Sequence, residues 1–166
     1  MTSISKEIKM NTFEFALELA KRAHAGQVDK AGKPYIDHVI RVANSFSNHA
    51  DPALEIIAVL HDILEDTWVT KEMIENLFGN SIAICVDALT RRENESYSEF
   101  ITRIVCTSTR ACKVKVADLE DNMNLGRLKE VTDADIARVK KYDKARSMLK
   151  DHISEVTSEY EYEDVY

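Results

Sequence analysis

Glycine and proline are scarce, 4 and 2 in 166 residues, so the chain lacks the turn punctuation that bounds short strands, and a sheet-rich fold is disfavoured. Cysteine is scarce as well. Cys85, Cys106 and Cys112 are odd in number, lie in apolar surroundings and form no CxxC pair, which argues against a disulfide framework and against a thiolate zinc site. They read as small core residues in a reducing compartment. No run approaches the roughly 20 apolar residues of a membrane span. The stretch from Met1 to Met10 has no apolar secretory core, so a soluble cytoplasmic protein that contacts no membrane is expected. Positive charge is in deficit: 22 Lys and Arg against 29 Asp and Glu leave a net charge of −7. That balance opposes adhesion to a nucleic-acid polymer, while local basic patches can still hold a small phosphate ligand such as a nucleotide.

What is present is helical periodicity. Hydrophobic residues make up 45% and charged residues 31% of the chain, and the length suits one domain. A single domain over 1–157 is expected, followed by an acidic, aromatic and flexible tail at 158–166. Asn11 with Glu14 offers a capping box for a helix from Thr12 to His24. Gly26 to Lys33 reads as a loop facing solvent or ligand, and Pro34 suits the first turn of a helix bearing Ile36, Val39, Ile40, Ala43 and Phe46. The run from Ala53 to Asp66 is apolar nearly all round until its charged end, as expected of a central buried helix. Thr70 and Gly79 bracket another helix, Ile82 to Leu89 forms the next, and Tyr97 to Cys106 the next. Thr107 or Ser108 caps one reaching about Leu125, and the last opens at Thr132 and runs to about His152. Seven or eight helices with no convincing strand make an all-α bundle.

One polar group interrupts the most apolar of these helices. His61, Asp62, Glu65 and Asp66 stand at i, i+1, i+4 and i+5, so on a continuous helix His61 stacks over Glu65 and Asp62 over Asp66. Three carboxylates clustered in apolar surroundings repel one another unless a cation sits among them, and a divalent metal removes that conflict. A lone HD pair is unspecific; the full pattern HDxxED is much more so. Asp118 and Asn122, one turn apart, can reach into the same pocket, and His38 supplies a second imidazole, although alone it would read as an ordinary helix histidine. Two imidazoles and two carboxylates form a borderline-hard N/O site suited to Mn²⁺, Fe²⁺ or Zn²⁺.

At these residues the chain resembles the RelA/SpoT-type HD-domain hydrolases of (p)ppGpp, especially the stand-alone small alarmone hydrolases typified by the metazoan SpoT homologue. The resemblance covers most of the chain. It rests on Ala23-His24-Ala25-Gly26-Gln27, Lys30, Gly32, Pro34-Tyr35-Ile36 leading to His38, and Leu60-His61-Asp62 with Glu65-Asp66-Thr67. Phe78-Gly79, Leu89-Thr90, Val114 to Asp118 and Asn122-Met123 complete it. It implies an HD-domain helical bundle with His38, His61, Asp62 and Asp118 as ligands of Mn²⁺ or another divalent transition metal. Glu65 and Asp66 are then the catalytic acidic pair, and Asn122 orients substrate or water. The implied reaction releases pyrophosphate from the 3′ position of the guanosine nucleotide, giving GDP or GTP. Lys30, Arg138 and Tyr142 resemble family positions that face the nucleotide, and Arg91 in the loop after Thr90 offers a further cation.

One position departs from the family. Its members commonly carry Arg-Lys where this chain has Asp29-Lys30, and an aspartate cannot stack a guanidinium on guanine as that Arg can. A phosphohydrolase of another nucleotide, such as NADPH, therefore stays open beside the alarmone reading. A module that only senses nucleotide is disfavoured by the intact Glu65-Asp66 pair. No synthetase or regulatory domain follows, so a stand-alone enzyme is expected, its partners a small nucleotide and, in a homo-oligomer, copies of itself.

Overall fold

The computed structural model describes residues 12–163, with side chains through residue 158. Nine α-helices are present among the described residues: α1 Phe13–Ala23, α2 Tyr35–Asn44, α3 Pro52–Leu60, α4 Ile63–Asp66, α5 Lys71–Phe78, α6 Asn80–Leu89, α7 Tyr97–Thr107, α8 Thr109–Met123 and α9 Asp133–Glu163. A 3-10 turn, Leu125–Arg127, joins the last two. The isolated bridge between Val28 and Pro34 is the sole extended pairing described, so the fold class is all-α as expected.

The caps show why the helices begin where they do. Thr12 accepts from the Phe15 amide, Asp51 from Ala53, Thr70 from Met73 and Ser108 from Arg110, each satisfying an otherwise orphaned N–H. Ser96 and Glu99 form a reciprocal capping box at the start of α7. Asn11, expected to open α1, lies outside the described residues; Thr12 is the cap observed. Helix α9 contains neither glycine nor proline and runs to Glu163, so its backbone is helical across residue 158, where the acidic tail was expected to begin.

Helix α3 is the hub. Leu54 and Ile56 to Leu60 are all buried, and the helix packs against α1, α2, α6 and α8. The apolar stripes of those neighbours converge on it through Ala16, Ala20, Val39, Ala43, Val86, Val114 and Leu119. Helix α9 lies along α8, inserting Ala145 and Leu149.

The continuous helix expected over 53–66 is corrected. Regular helix stops at Leu60, His61 and Asp62 occupy a turn with Asp62 at φ −104 and ψ 0, and α4 restarts at Ile63. Successive side chains on an α-helix diverge by about 100°, so an unbroken helix would aim His61 and Asp62 at different places. The break lets two adjacent residues serve one centre, and it divides the expected central helix into two.

Leu54 is fully buried in the hub, so Leu54→Ala is expected to cost about 2–5 kcal/mol and to lower the urea midpoint accordingly. Ser96→Ala is expected to cost about 1 kcal/mol through the lost cap. Equal urea midpoints for wild type and Leu54→Ala would refute the placement of α3 at the centre.

Candidate active site

His38 from α2, His61 and Asp62 from the break after α3, and Asp118 from α8 come together in the bundle interior. One ligand atom from each lies within 4.8 Å of all the others. His38 Nε2 is 3.2 Å from Asp118 Oδ1 and 3.7 Å from Asp62 Oδ2, while His61 Nε2 is 2.9 Å from Asp62 Oδ2 and 3.5 Å from Asp118 Oδ1.

The histidine tautomers follow from the opposite ring atoms. His61 Nδ1 lies 2.7 Å from the Ala58 carbonyl oxygen, which can only accept, so Nδ1 carries the proton. His38 Nδ1 lies 2.6 Å from Asp121 Oδ2, again an acceptor. In the neutral imidazoles both lone pairs therefore reside on Nε2, and both Nε2 atoms are buried with no partner in hydrogen-bond geometry. Two orphaned lone pairs aimed at two carboxylates are the donor set a divalent ion satisfies. The residues present fit the group.

Second-layer contacts hold each ligand. Asp121 binds His38 while accepting from Arg41 at 2.8 and 3.1 Å and from Arg127 at 3.0 Å. The Tyr35 hydroxyl donates to Asp62 Oδ2 at 2.6 Å. Asp118 accepts from Lys115 Nζ at 2.8 Å and from Asn122 Nδ2 at 2.7 Å. Asn122 thus touches a ligand directly, in the pocket where its spacing placed it.

Two clefts open from this centre and share Tyr35, Asn122 and Tyr142 in their walls. The first, about 290 Å³, contains Lys30, Arg41, Arg127 and Arg138 beside Val28 and Leu125. The second, about 280 Å³, contains Asp62, Glu65, Asp66, Arg91, Lys115 and Asp118. Every residue singled out from the sequence lines one of them except buried His61. The expected cations are already engaged in part: Arg138 pairs with Asp135 at 2.8 Å, and the Arg91 guanidinium donates to the Glu95 carbonyl at 2.9 Å. Asp29 also lines the first cleft, but its Oδ1 accepts from the Ala31 and Lys33 amides and braces the loop.

Glu65 and Asp66 are exposed at the rim, and the Asp66 amide donates to the Asp62 carbonyl at 3.1 Å, one helical turn away. Glu65 Oε2 accepts the Arg91 backbone N–H at 3.1 Å. The Arg91 loop is pinned by Arg103, whose guanidinium grips Glu95 at 2.6 and 2.8 Å and the Thr90 carbonyl at 2.9 Å. Asp66 is approached from the other side: His24 Nδ1 lies 2.7 Å from Gln27 Oε1, and Gln27 Nε2 donates to the Asp66 carbonyl at 2.7 Å. Burial, with the Asp62 and Glu65 charges, pushes the Asp66 carboxyl up to about 6.

Sequence reasoning missed Asp121, Arg41, Arg127 and Arg103. Asp121 had a signal, its i+3 spacing from Asp118 on one helix face. The arginines had none, because their partners lie on other elements.

With this geometry in hand, comparison with known proteins places the chain in a class: the family model for the HD domain matches residues 16–157, and the chain belongs to the HD domain family. That family implies a divalent metal. Among curated relatives, the guanosine-3′,5′-bis(diphosphate) 3′-pyrophosphohydrolase of Haemophilus influenzae is 35% identical over 123 residues, 67% of this chain and 18% of that protein. The bifunctional (p)ppGpp synthase/hydrolase SpoT of Escherichia coli is 33% identical over 132 residues, 72% of this chain and 19% of that protein. The chain thus spans less than a fifth of the length of these curated relatives. Among solved structures, that of a metazoan ortholog of SpoT that hydrolyses ppGpp and plays a role in starvation responses superposes with a TM-score of 0.70. It is 26% identical, and the match covers 89% of this chain and 94% of that one. No helix among the described residues is long and apolar enough to cross a membrane.

Without an ion, burial would depress both imidazoles, but the surrounding carboxylates overcome it and hold His38 up to about 11 and His61 up to about 9. Their charge-pair stabilisation is fully present below the unfolded value of about 6.5 and is lost as pH rises through those folded values. An ion that needs neutral imidazoles must displace the two protons, so its affinity rises with pH. Calorimetry of Mn²⁺ binding in buffers of different ionisation enthalpy is expected to show release of about two protons per ion at pH 7; release of none would contradict the ligand assignment. Asp121→Asn is expected to weaken the ion about 10–100-fold, measured in the same titration.

Proposed function

We propose that the chain is a Mn²⁺-dependent guanosine-3′,5′-bis(diphosphate) 3′-pyrophosphohydrolase, converting ppGpp or pppGpp to GDP or GTP and pyrophosphate. The observation that carries this reading is the pair of buried, partnerless Nε2 atoms facing Asp62 and Asp118 where two cation-lined clefts meet. The activities for which the SpoT-type relatives are named, including that of the metazoan ortholog matched over nearly its whole length, support the choice of substrate. The reading includes a cytoplasmic location and no polymeric nucleic-acid partner, in keeping with the net charge of −7.

His38, His61, Asp62 and Asp118 would hold the ion. When bound, a divalent ion supplies Lewis acidity, lowering the pKa of water and offsetting phosphate charge. The remaining work belongs to the chain. Asp66, with its carboxyl near 6, is ionised at neutral pH yet basic enough to accept the proton of an attacking water. Glu65, oriented by the Arg91 N–H, is its acidic partner at the rim. Asn122 fixes the Asp118 carboxylate in one orientation. Lys30, Arg138 and Tyr142 bind the nucleotide in the first cleft, and Arg91 adds positive charge at the second.

A second reading keeps the chemistry and changes the substrate. Asp29, not arginine, lines the first cleft, which favours a nucleotide that needs no guanidinium against its base, with NADPH the case to test.

Mn²⁺-loaded protein should release pyrophosphate from ppGpp and pppGpp; release of phosphate from NADPH alone would select the second reading, and turnover of neither would overturn both. Glu65→Gln is expected to lower kcat by about 10²–10⁴-fold with bound metal unchanged, and wild-type turnover would remove Glu65 from the chemistry. Because Asp66 must be ionised to act as a base, kcat/KM is expected to fall as pH drops through about 6; a flat profile to pH 5 would contradict its role.

A further inference from the structure

Helix α9 is the longest element of the fold, and one of its faces has no work in the site described so far. Lys140, Lys144, Met148, Asp151 and Glu155 follow one another at intervals of four, four, three and four residues. At about 100° per residue they keep to one stripe about 80° wide. All five are exposed, Met148 at 46%, whereas Ala145 and Leu149 belong to the buried side that packs on α8. None of the five lines either cleft. Lys141 is turned away from them, its ammonium 4.6 Å from the centroid of the Tyr97 ring in the wall of the second cleft.

The charges on this stripe are sorted by sign. Lys140 and Lys144 stand one turn apart, as do Asp151 and Glu155, and like charges at i, i+4 weaken a helix. A helix stabilised by its own surface charges would alternate their signs at that spacing. Other charges of α9 do find opposite partners: Arg138 pairs with Asp135 at 2.8 Å, Arg146 with Asp143 at 2.6 Å and Lys150 with Glu120 at 2.7 Å, while the four on the stripe are in no ion pair among the described residues. Lysines at one end, carboxylates at the other and a methionine between them make a self-complementary pattern. The midpoint between Lys144 and Asp151 falls between Ser147 and Met148, and so does the midpoint between Lys140 and Glu155. One two-fold axis at that point therefore satisfies both pairs at once.

We propose that this face of α9 is an isologous dimer interface, occupied by a second copy of the chain whose α9 lies antiparallel across an axis between Ser147 and Met148. Lys144 then faces Asp151 of the second copy and Lys140 faces its Glu155, each contact made twice, and the two Met148 side chains meet as the apolar centre. The charges set the direction, because a parallel arrangement would oppose lysine to lysine and carboxylate to carboxylate. A net charge of −7 opposes self-association at large, and the local sorting of sign overcomes it on this face. Each exposed ion pair contributes little by itself, so the dimer is reversible and weakens as salt shortens the Debye length. The proposal does not rest on the choice of substrate.

The test is analytical ultracentrifugation of the full chain over a wide range of micromolar concentrations. Wild type is expected to show a monomer–dimer equilibrium that shifts several-fold toward monomer between about 0.1 M and about 1 M NaCl, as the Debye length falls from about 10 to about 3 Å. Lys144→Glu and Asp151→Lys, each at an exposed position, set like charges against one another across the axis and are each expected to weaken the dimer about tenfold or more. The double variant carrying both exchanges the signs, restores opposite charges across the axis and is expected to recover the dimer. That recovery is a result a folding defect in either single variant could not produce. A wild type that is monomeric throughout the range, a dimer unmoved by either single reversal, or a double variant no better than the single ones would each overturn the proposal.

Discussion

Everything in this site depends on the commitment of two imidazole Nδ1 atoms to acceptors behind them. The Ala58 carbonyl and the Asp121 carboxylate take those protons, which turns both Nε2 lone pairs toward Asp62 and Asp118. Loss of either acceptor would free a ring to flip or change tautomer, and the convergence on one centre would go with it. Gathering these carboxylates in a largely dry interior is costly unless a bound ion or, in its absence, the two protonated imidazoles balance them. Arg41 and Arg127, both clamped on Asp121, offset part of that cost and fix the carboxylate that fixes His38.

The scaffold serves the same end. Beyond its first turn helix α3 is apolar nearly all round, so it must be enclosed, and among the helices that enclose it are α2 and α8, which carry His38 and Asp118. The break then supplies His61 and Asp62 together. Glu65 and Asp66 are carried outward on α4 and held from opposite sides, Glu65 by the loop that Arg103 pins and Asp66 by the His24–Gln27 pair. The familiar stretch from Ala23 to Gln27 thereby acquires a physical reason: Gln27 ties down the Asp66 backbone carbonyl at the rim, while Gly26, at φ 82, turns the chain into the loop that walls the first cleft.

Much of this was legible before any coordinates. Apolar spacing located the helices, because a buried face must recur with the helical period, and the caps at Thr70 and Ser108 and the stop at Gly79 were readable as local chemistry. The candidate pair His61 and Asp62 was legible because charged residues in an apolar helix demand a partner, whereas His38 joined them only through the family resemblance. The break at His61 was not, since propensity alone offers no reason to interrupt so apolar a run. Tyr97 passed as a helix-starting aromatic because it carries no local signal of what it faces, and Asp121 was overlooked although its i+3 spacing from Asp118 sets both on one face of α8.

The sequence by itself determined the all-α class, the residues able to bind a metal and the acidic pair near them, since these follow from periodicity and from the cost of burying charge. The tertiary structure alone decided the tautomers, the two-cleft shape, the bracing of Glu65 and Asp66, and the face of α9 left to solvent. Those features arise from contacts between residues far apart in the chain, such as His38 with Asp121 and Gln27 with Asp66, and no local pattern encodes a meeting that only packing brings about.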